Sequence, residues 1–167
     1  YVIHLSTHLQ LMQMHIKNKK MKSSFLKDHT LIIDKLETSI KFHNWNFILS
    51  FLPKGSYLVG GYIRDIILGR VNEEIDIDIV VPFNALEIGK KISNNFESKC
   101  IILDDKREVV RILLNHISID IANQVSSTIE GDLSARDFSI NSIAFLFDKK
   151  SLFDPLNGLK DLELSLL

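Results

Sequence analysis

Residues 57–82, YLVGGYIRDIILGRVNEEIDIDIVVP, change hydrophobic rhythm twice. SYLVG is an apolar run closed by Gly60 and Gly61, and it reads as a buried strand. GYIRDIILG then spaces its apolar residues as a short helix, with Gly69 placed as a left-handed cap. EIDIDIVVP alternates with period two and stops at Pro82, as a strand does. Strand, helix and strand in so short a span predict a sheet with a helix packed on it.

The alternation of the second strand sets a problem. Residues two apart on a strand share a face. Ile75, Ile77 and Ile79 therefore turn to the core, while Asp76 and Asp78 turn together to the other side. From the strand rise they stand roughly 7 Å apart. Two carboxylates so placed repel and raise each other's proton affinity unless a cation lies between them. A hard divalent cation with oxygen ligands, such as magnesium, resolves the conflict. A solvent-facing polar stripe on an edge strand is the plainer alternative. The residues just before favour the cation. Gly60 and Gly61 open a helix whose exposed N–H groups suit phosphate, and Arg64 on its first turns can pair with phosphate oxygens. A phosphate cradle followed by a carboxylate pair suits nucleoside triphosphate chemistry.

Outward from this stretch, residues 29–51 carry Leu36, Ile40, Trp45 and Ile48 at helical spacing, and Pro53 and Gly55 break the chain after them. NALEIGKKISNNF is a second helix; CIILD, REVVRILLN and HISIDIAN are three strands, two of them a hairpin. TIEGDLSA reads as a polar loop, RDFSINSIAFLF as the start of a helix, KSLFDPLNGL as a strand and turn, and KDLELSLL as the opening of a further helix. The predicted fold class is mixed α+β, with a sheet of about five strands flanked by helices.

The 167 residues are 46% apolar and 25% charged, enough for one domain with a real core and unlike a disordered chain. A net charge of −1 is low for a domain that grips nucleic acid unaided, so any polynucleotide contact is local or made by other parts. Cys100 is the sole cysteine, which rules out an internal disulfide and fits a reducing, cytoplasmic setting. Residues 1–16 are too short and too polar to span a membrane and lack the pattern of a signal peptide. The ends read as cut: Tyr1 stands in first place, Met21 is a natural start, and DLELSLL stops within an amphipathic pattern.

LVGGYIRDIILGR followed by EIDIDIV resembles the first motif of the polymerase-β-like nucleotidyltransferase superfamily, and more narrowly that of tRNA nucleotidyltransferases (CCA-adding enzymes) and bacterial poly(A) polymerases. LSARDFSINSIAF (133–145) is similar to that family's R-R-D-F-T-x-N-A motif, and DPLNGLKDL (154–162) to its D-P-x-G-G-x-x-D-L turn. Ala135 departs from the first arginine of the pair, and Asn157 replaces the first turn glycine, a mild change because asparagine tolerates the left-handed region. The family's base-reading E-D-x-x-R helix does not occur here, nor do its neck, body and tail.

The resemblance implies a polymerase-β-like nucleotidyltransferase head domain over 25–158, an extension over 1–24 that is disordered or expression-derived, and the start of a cut neck helix over 159–167. It implies Mg2+-dependent transfer of CMP or AMP from CTP or ATP to the 3′ end of an RNA, tRNA above all, with poly(A), CC-only or A-only addition as alternatives, and a nucleotide-binding module inactive through truncation as the non-enzymatic one. Asp76 and Asp78 are the expected metal ligands and catalytic acids. Gly60, Gly61 and Arg64 would bind the triphosphate, and Asp65 would orient the ribose or the loop. Arg136 and Asp137 would line the nucleotide pocket, with Asn141 one helical turn further on and facing the ribose. Asp120, in ISIDIAN, repeats the pattern of IDIDIV and reads equally as a third catalytic carboxylate or as a solvated strand acid; Arg111 reads as facing that cleft or as a surface salt bridge. His4 and His8 lack further zinc ligands, Lys17, Lys19, Lys20 and Lys22 read as a solvated terminus, and residues 104–108 as a charged turn.

Overall fold

The structure, a computed structural model, describes residues 28–70 and 73–164. Helix α1 (His29–Phe42) leads through a 3-10 turn (Asn46–Phe51) to β1 (Tyr57–Val59), α2 (Gly61–Leu68) and β2 (Ile75–Val81). Helix α3 (Ala85–Asn95) crosses to β3 (Lys99–Asp104), β4 (Val109–Leu114) and β5 (Ile117–Asn123). Helix α4 (Ile129–Ser134), a second 3-10 turn (Ser139–Asn141), β6 (Ala144–Leu146), β7 (Ser151–Phe153) and α5 (Gly158–Leu164) follow.

The strands form one sheet in the order β3-β4-β5-β2-β1-β6-β7. Seven strands therefore replace the expected five or so. β7 falls in KSLFDPLNGL, read as a strand and turn, whereas β6 lies in the stretch read as the start of a helix and exists by pairing with β1 and β7. β2 and β5 run parallel, in register from Ile75↔Ile117 to Val81↔Asn123, while the other pairs are antiparallel. A parallel pair needs a long crossover, and α3, β3 and β4 supply it.

The period-two pattern builds two faces. Ile75, Ile77, Ile79, Ile117, Ile119, Ile121, Val110 and Ile112 are buried in the main core with α1, α2 and α3. Leu36, Ile40, Trp45 and Ile48 join it, as their spacing predicted. On the opposite face a smaller cluster forms where Ile129 and Leu133 of α4 cover Val59, Val80 and Ala144. That cover ends near β1, so the acid-bearing middle of β2 and β5 is left open.

Three local readings change. The helix expected over 29–51 ends at Phe42, with Asn44 at positive φ, and a 3-10 turn takes its place from Asn46. TIEGDLSA is a helix, capped by Thr128 Oγ1 accepting from the Gly131 N–H and held to the sheet by Ile129 and Leu133. RDFSINSIAFLF forms only the turn Ser139–Asn141 before β6, because Ala144–Leu146 pair with β1. Gly69 does end α2 in the left-handed region, at φ 70°. No helix among the described residues is long and apolar enough to cross a membrane. The extension over 1–24, Met21, His4, His8 and the lysines at 17, 19, 20 and 22 lie outside the described residues, as does the 165–167 end of the expected neck helix.

Candidate active site

Strand pairing assembles the site. Val59 stands opposite Asp78 on β2, so Gly60 emerges beside the Asp78 carboxylate. Gly60 has φ 81° and ψ −152°, and a Cβ there would overlap Asp78 Oδ2. This glycine is needed both for its backbone conformation and because the carboxylate fills the space a side chain would take. No side chain caps the N-terminus of α2, whose first amide groups open beside the acids.

On the other side of β2, Asp76 pairs with Ser118 and Asp78 with Asp120. Ser118 Oγ donates to Asp76 Oδ1 at 2.6 Å. Asp120 thus lies beside the pair because β2 and β5 are neighbours, a pairing on which the sequence left its role open, and its carboxylate is engaged. Arg111, opposite it on β4, donates through Nε to Oδ1 and Nη2 to Oδ2, each at 2.7 Å. Arg111 thus forms a salt bridge with Asp120.

Burial pushes the Asp78 carboxyl up; Arg136 pulls it back, and Asp120 and Asp76 push it up further. Among the described residues no three His, Cys, Asp or Glu side chains converge as a cation site. Asp76 and Asp78 offer a two-carboxylate donor set on one strand face, and neither makes a direct ion pair among the described residues, although the Arg136 and Arg111 charges act on Asp78. That set fits magnesium, which takes one or two carboxylates and completes its shell with substrate phosphates and water.

Arg64 is tied down. Its Nε and Nη2 donate to the two Asp65 oxygens at 3.0 and 2.9 Å, and Nη1 donates to Asn141 Oδ1 at 2.7 Å. Arg70 lies 3.7 Å from Asp65. The first and second motifs are thereby joined through Arg64 and Asn141. Asp137 is exposed, and the extended backbone at Phe138 takes it off the turn, so Asp137 and Asn141 do not share a helix face. Gly61, Arg64, Asp65, Arg70, Asp76 and Asp78 line a common cleft.

The third motif braces the second. Asp154 accepts from the Gly158 and Leu159 N–H groups at 2.6 and 3.0 Å, and Asn157 takes φ 57°. Asp161 accepts from Ser139 Oγ, and a Cβ on Gly158 would strike the Ser139 carbonyl. Asp132 accepts from the Val125 and Ser126 N–H groups and so braces the loop after β5. Asp104 holds the turn after β3 by accepting from the Lys106 and Arg107 N–H groups.

Sequence reasoning missed Ser118 and the buttress behind α2. Ser118 was findable, since it precedes Asp120 by two residues and so shares its face. The buttress was not: Tyr62 Oη accepts from Trp45 Nε1 at 3.1 Å and lies 2.7 Å from His43 Nδ1. Burial pushes the Tyr62 hydroxyl up to about 12.

The sequence profile described as "Poly A polymerase head domain" matches residues 56–167. A CC-adding tRNA nucleotidyltransferase of Synechocystis sp. is 39% identical over 117 residues, which are 70% of this chain and 28% of that protein. One of Geobacter sulfurreducens is 36% identical over 110 residues, 65% of this chain and 25% of that protein. The solved Thermotoga maritima CCA-adding enzyme complexed with tRNA superposes with a TM-score of 0.56 at 39% identity, covering 65% of this chain and 26% of that one. This chain therefore spans about a quarter of the length of the relatives it matches.

Proposed function

Because the chain belongs to the poly(A) polymerase head domain family, we propose that it is the catalytic head of a template-independent RNA nucleotidyltransferase. It would transfer CMP and AMP from CTP and ATP to the 3′ end of tRNA, in the cytoplasm. The observation that carries this reading is the junction of Gly60 with Asp78, where an uncapped helix N-terminus meets two carboxylates on one strand face.

In this reading the 3′-hydroxyl oxygen of the RNA bonds to the α-phosphorus as the bond to the bridging oxygen breaks, and pyrophosphate leaves. Asp76 and Asp78 would hold Mg2+, which would supply charge stabilisation to the reacting phosphate. The Gly60 and Gly61 amides and the N-terminus of α2 bind the triphosphate. Arg64, fixed by Asp65 and Asn141, lends its positive charge to the cleft wall. Arg136, whose charge acts on Asp78, and the exposed Asp137 would line the nucleotide pocket. Asn141, its Oδ1 taken by Arg64, meets a ribose hydroxyl through Nδ2. Asp120 lies beside the pair as a third acid, with both oxygens held by Arg111.

A narrower reading is CC addition alone, which the names of the Synechocystis and Geobacter relatives favour. Calorimetry of ATP and CTP with and without magnesium, on the wild type and on Asp76→Ala/Asp78→Ala, tests the central claim. Magnesium-dependent binding weakened by the double substitution is expected. Binding that ignores both magnesium and the substitution sinks it.

A further inference from the structure

Across the open sheet face, Asp78, Asp120 and Arg111 form one row on β2, β5 and β4, while Asp76 and Ser118 begin the row beside it. Neighbouring strands lie about 4.8 Å apart. Asp120 is therefore near enough to share a cation with Asp78, yet no three acids converge among the described residues. Both Asp120 oxygens are occupied by the Arg111 fork. Asp76 differs, since its partner Ser118 is a neutral donor that orients one oxygen without neutralising the group. We propose that Arg111 is a positioning residue that withholds Asp120 from the cation site, so that the fork sets how tightly Asp76 and Asp78 take a divalent ion.

The inference rests on the assignment of Asp76 and Asp78 as cation ligands. Two features make the fork a latch. Arg111 and Asp120 are direct partners in the antiparallel β4–β5 ladder, so the backbone holds the two side chains in reach of each other. The arginine side chain is 42% exposed and the aspartate 22%, so solvent and ligands reach the pair. Guanidinium is needed because its planar donors grip both carboxylate oxygens at once, whereas an ammonium is a point charge that leaves one oxygen available. With the fork intact, the site presents two carboxylates. With it opened, Asp120 adds a third, and affinity for hard cations rises with ligand charge.

The test is a Mn2+ titration followed by the electron paramagnetic resonance signal of the free ion. It compares wild type, Arg111→Lys, Arg111→Lys/Asp120→Asn and Asp76→Asn, with thermal melts to confirm folding. Arg111→Lys keeps the charge and breaks the fork, so tightening by about fivefold or more is expected, with reversal in the double variant. Unchanged affinity in Arg111→Lys overturns the proposal, as does tightening that survives Asp120→Asn, which would trace to charge alone. Should Arg111→Lys melt below the assay temperature, all variants are titrated at a lower temperature at which each is folded. Equal binding by wild type and Asp76→Asn would instead remove the ligand assignment itself, whatever Arg111→Lys does.

Discussion

Two arginine–carboxylate forks flank Asp78, and they are built for different work. On the α2 side, Arg64 grips Asp65 and spends its remaining donor on Asn141, with side chains 25% and 17% exposed. On the β5 side, Arg111 grips Asp120 from a neighbouring strand, more openly, and Asp120 is its one ion-pair partner among the described residues. The bond geometry is alike in the two forks. What differs is the third contact. Arg64 links a helix of the first motif to the turn of the second, so its loss would unmake a junction. Arg111 links two strands whose backbones are already bonded, so its loss would free a carboxylate and little else.

The largest expected effect lies between the forks. Asp78→Asn should cut nucleotide transfer on the order of a thousandfold, since cation-borne charge stabilisation is worth several kcal/mol. The same change should leave folding stability equal or higher. The folded-state pKa of Asp78 lies above its ordinary value. The folded protein then holds a proton that the unfolded chain has already released, so this group's contribution to stability falls as pH rises from the ordinary aspartate value through the raised one. Melting curves across that window should show a shallower decline in the variant. A variant that melts lower at neutral pH would mean that the Asp78 charge is satisfied without a cation.

Next comes Arg64→Ala, which leaves the largely enclosed Asp65 with only the longer Arg70 contact at 3.7 Å and should cost about 2 kcal/mol by denaturant unfolding. Gly60→Ala should cost about 2 kcal/mol, from the positive φ and the displaced Asp78 carboxylate, and should weaken cation binding as well. Asn141→Ala removes one bond of the Arg64 junction and should cost about 1 kcal/mol, less than additively with Arg64→Ala. Arg111→Ala should cost under about 1 kcal/mol, as exposed pairs do. Equal losses from Arg64→Ala and Arg111→Ala would break the distinction between the forks.

The parts legible in sequence are those where local chemistry and tertiary demand agree. The IDIDIV alternation sets the acid face of β2, and the same alternation in ISIDI turns Asp120 to one face of β5, though only the parallel pairing brings it to Asp78. Gly69, which lacks a Cβ, and Asn157, whose side chain tolerates it, sit in the left-handed region. The misread parts take their form from distant partners. Residues 129–134 look polar enough for a loop, yet Ile129 and Leu133 find a patch made of Val59, Val80 and Ala144 and wind a helix to reach it. RDFSIN has helical spacing, but the pairing of Ala144–Leu146 with β1 pulls the chain straight. The reach of Arg64 to Asn141 crosses 77 positions, and no window of local sequence contains both.

The parallel pairing of β2 with β5 bears on how the site comes into being during synthesis. The Ser118–Asp76 bond spans 42 positions, with a helix and two strands between. Loop closure of that length precedes the contacts that reward it, which slows folding relative to hairpins. The β3–β4–β5 meander is local and can form early, whereas β2 keeps its β5-side edge unpaired until residue 123 has emerged. On a ribosome adding about 5–20 residues per second, the acid pair therefore waits seconds for its neighbouring strand. Through that interval the alternating charges of β2 guard an otherwise apolar edge against pairing with a stranger, so the residues assigned to catalysis also serve as the chain's protection while it is being made.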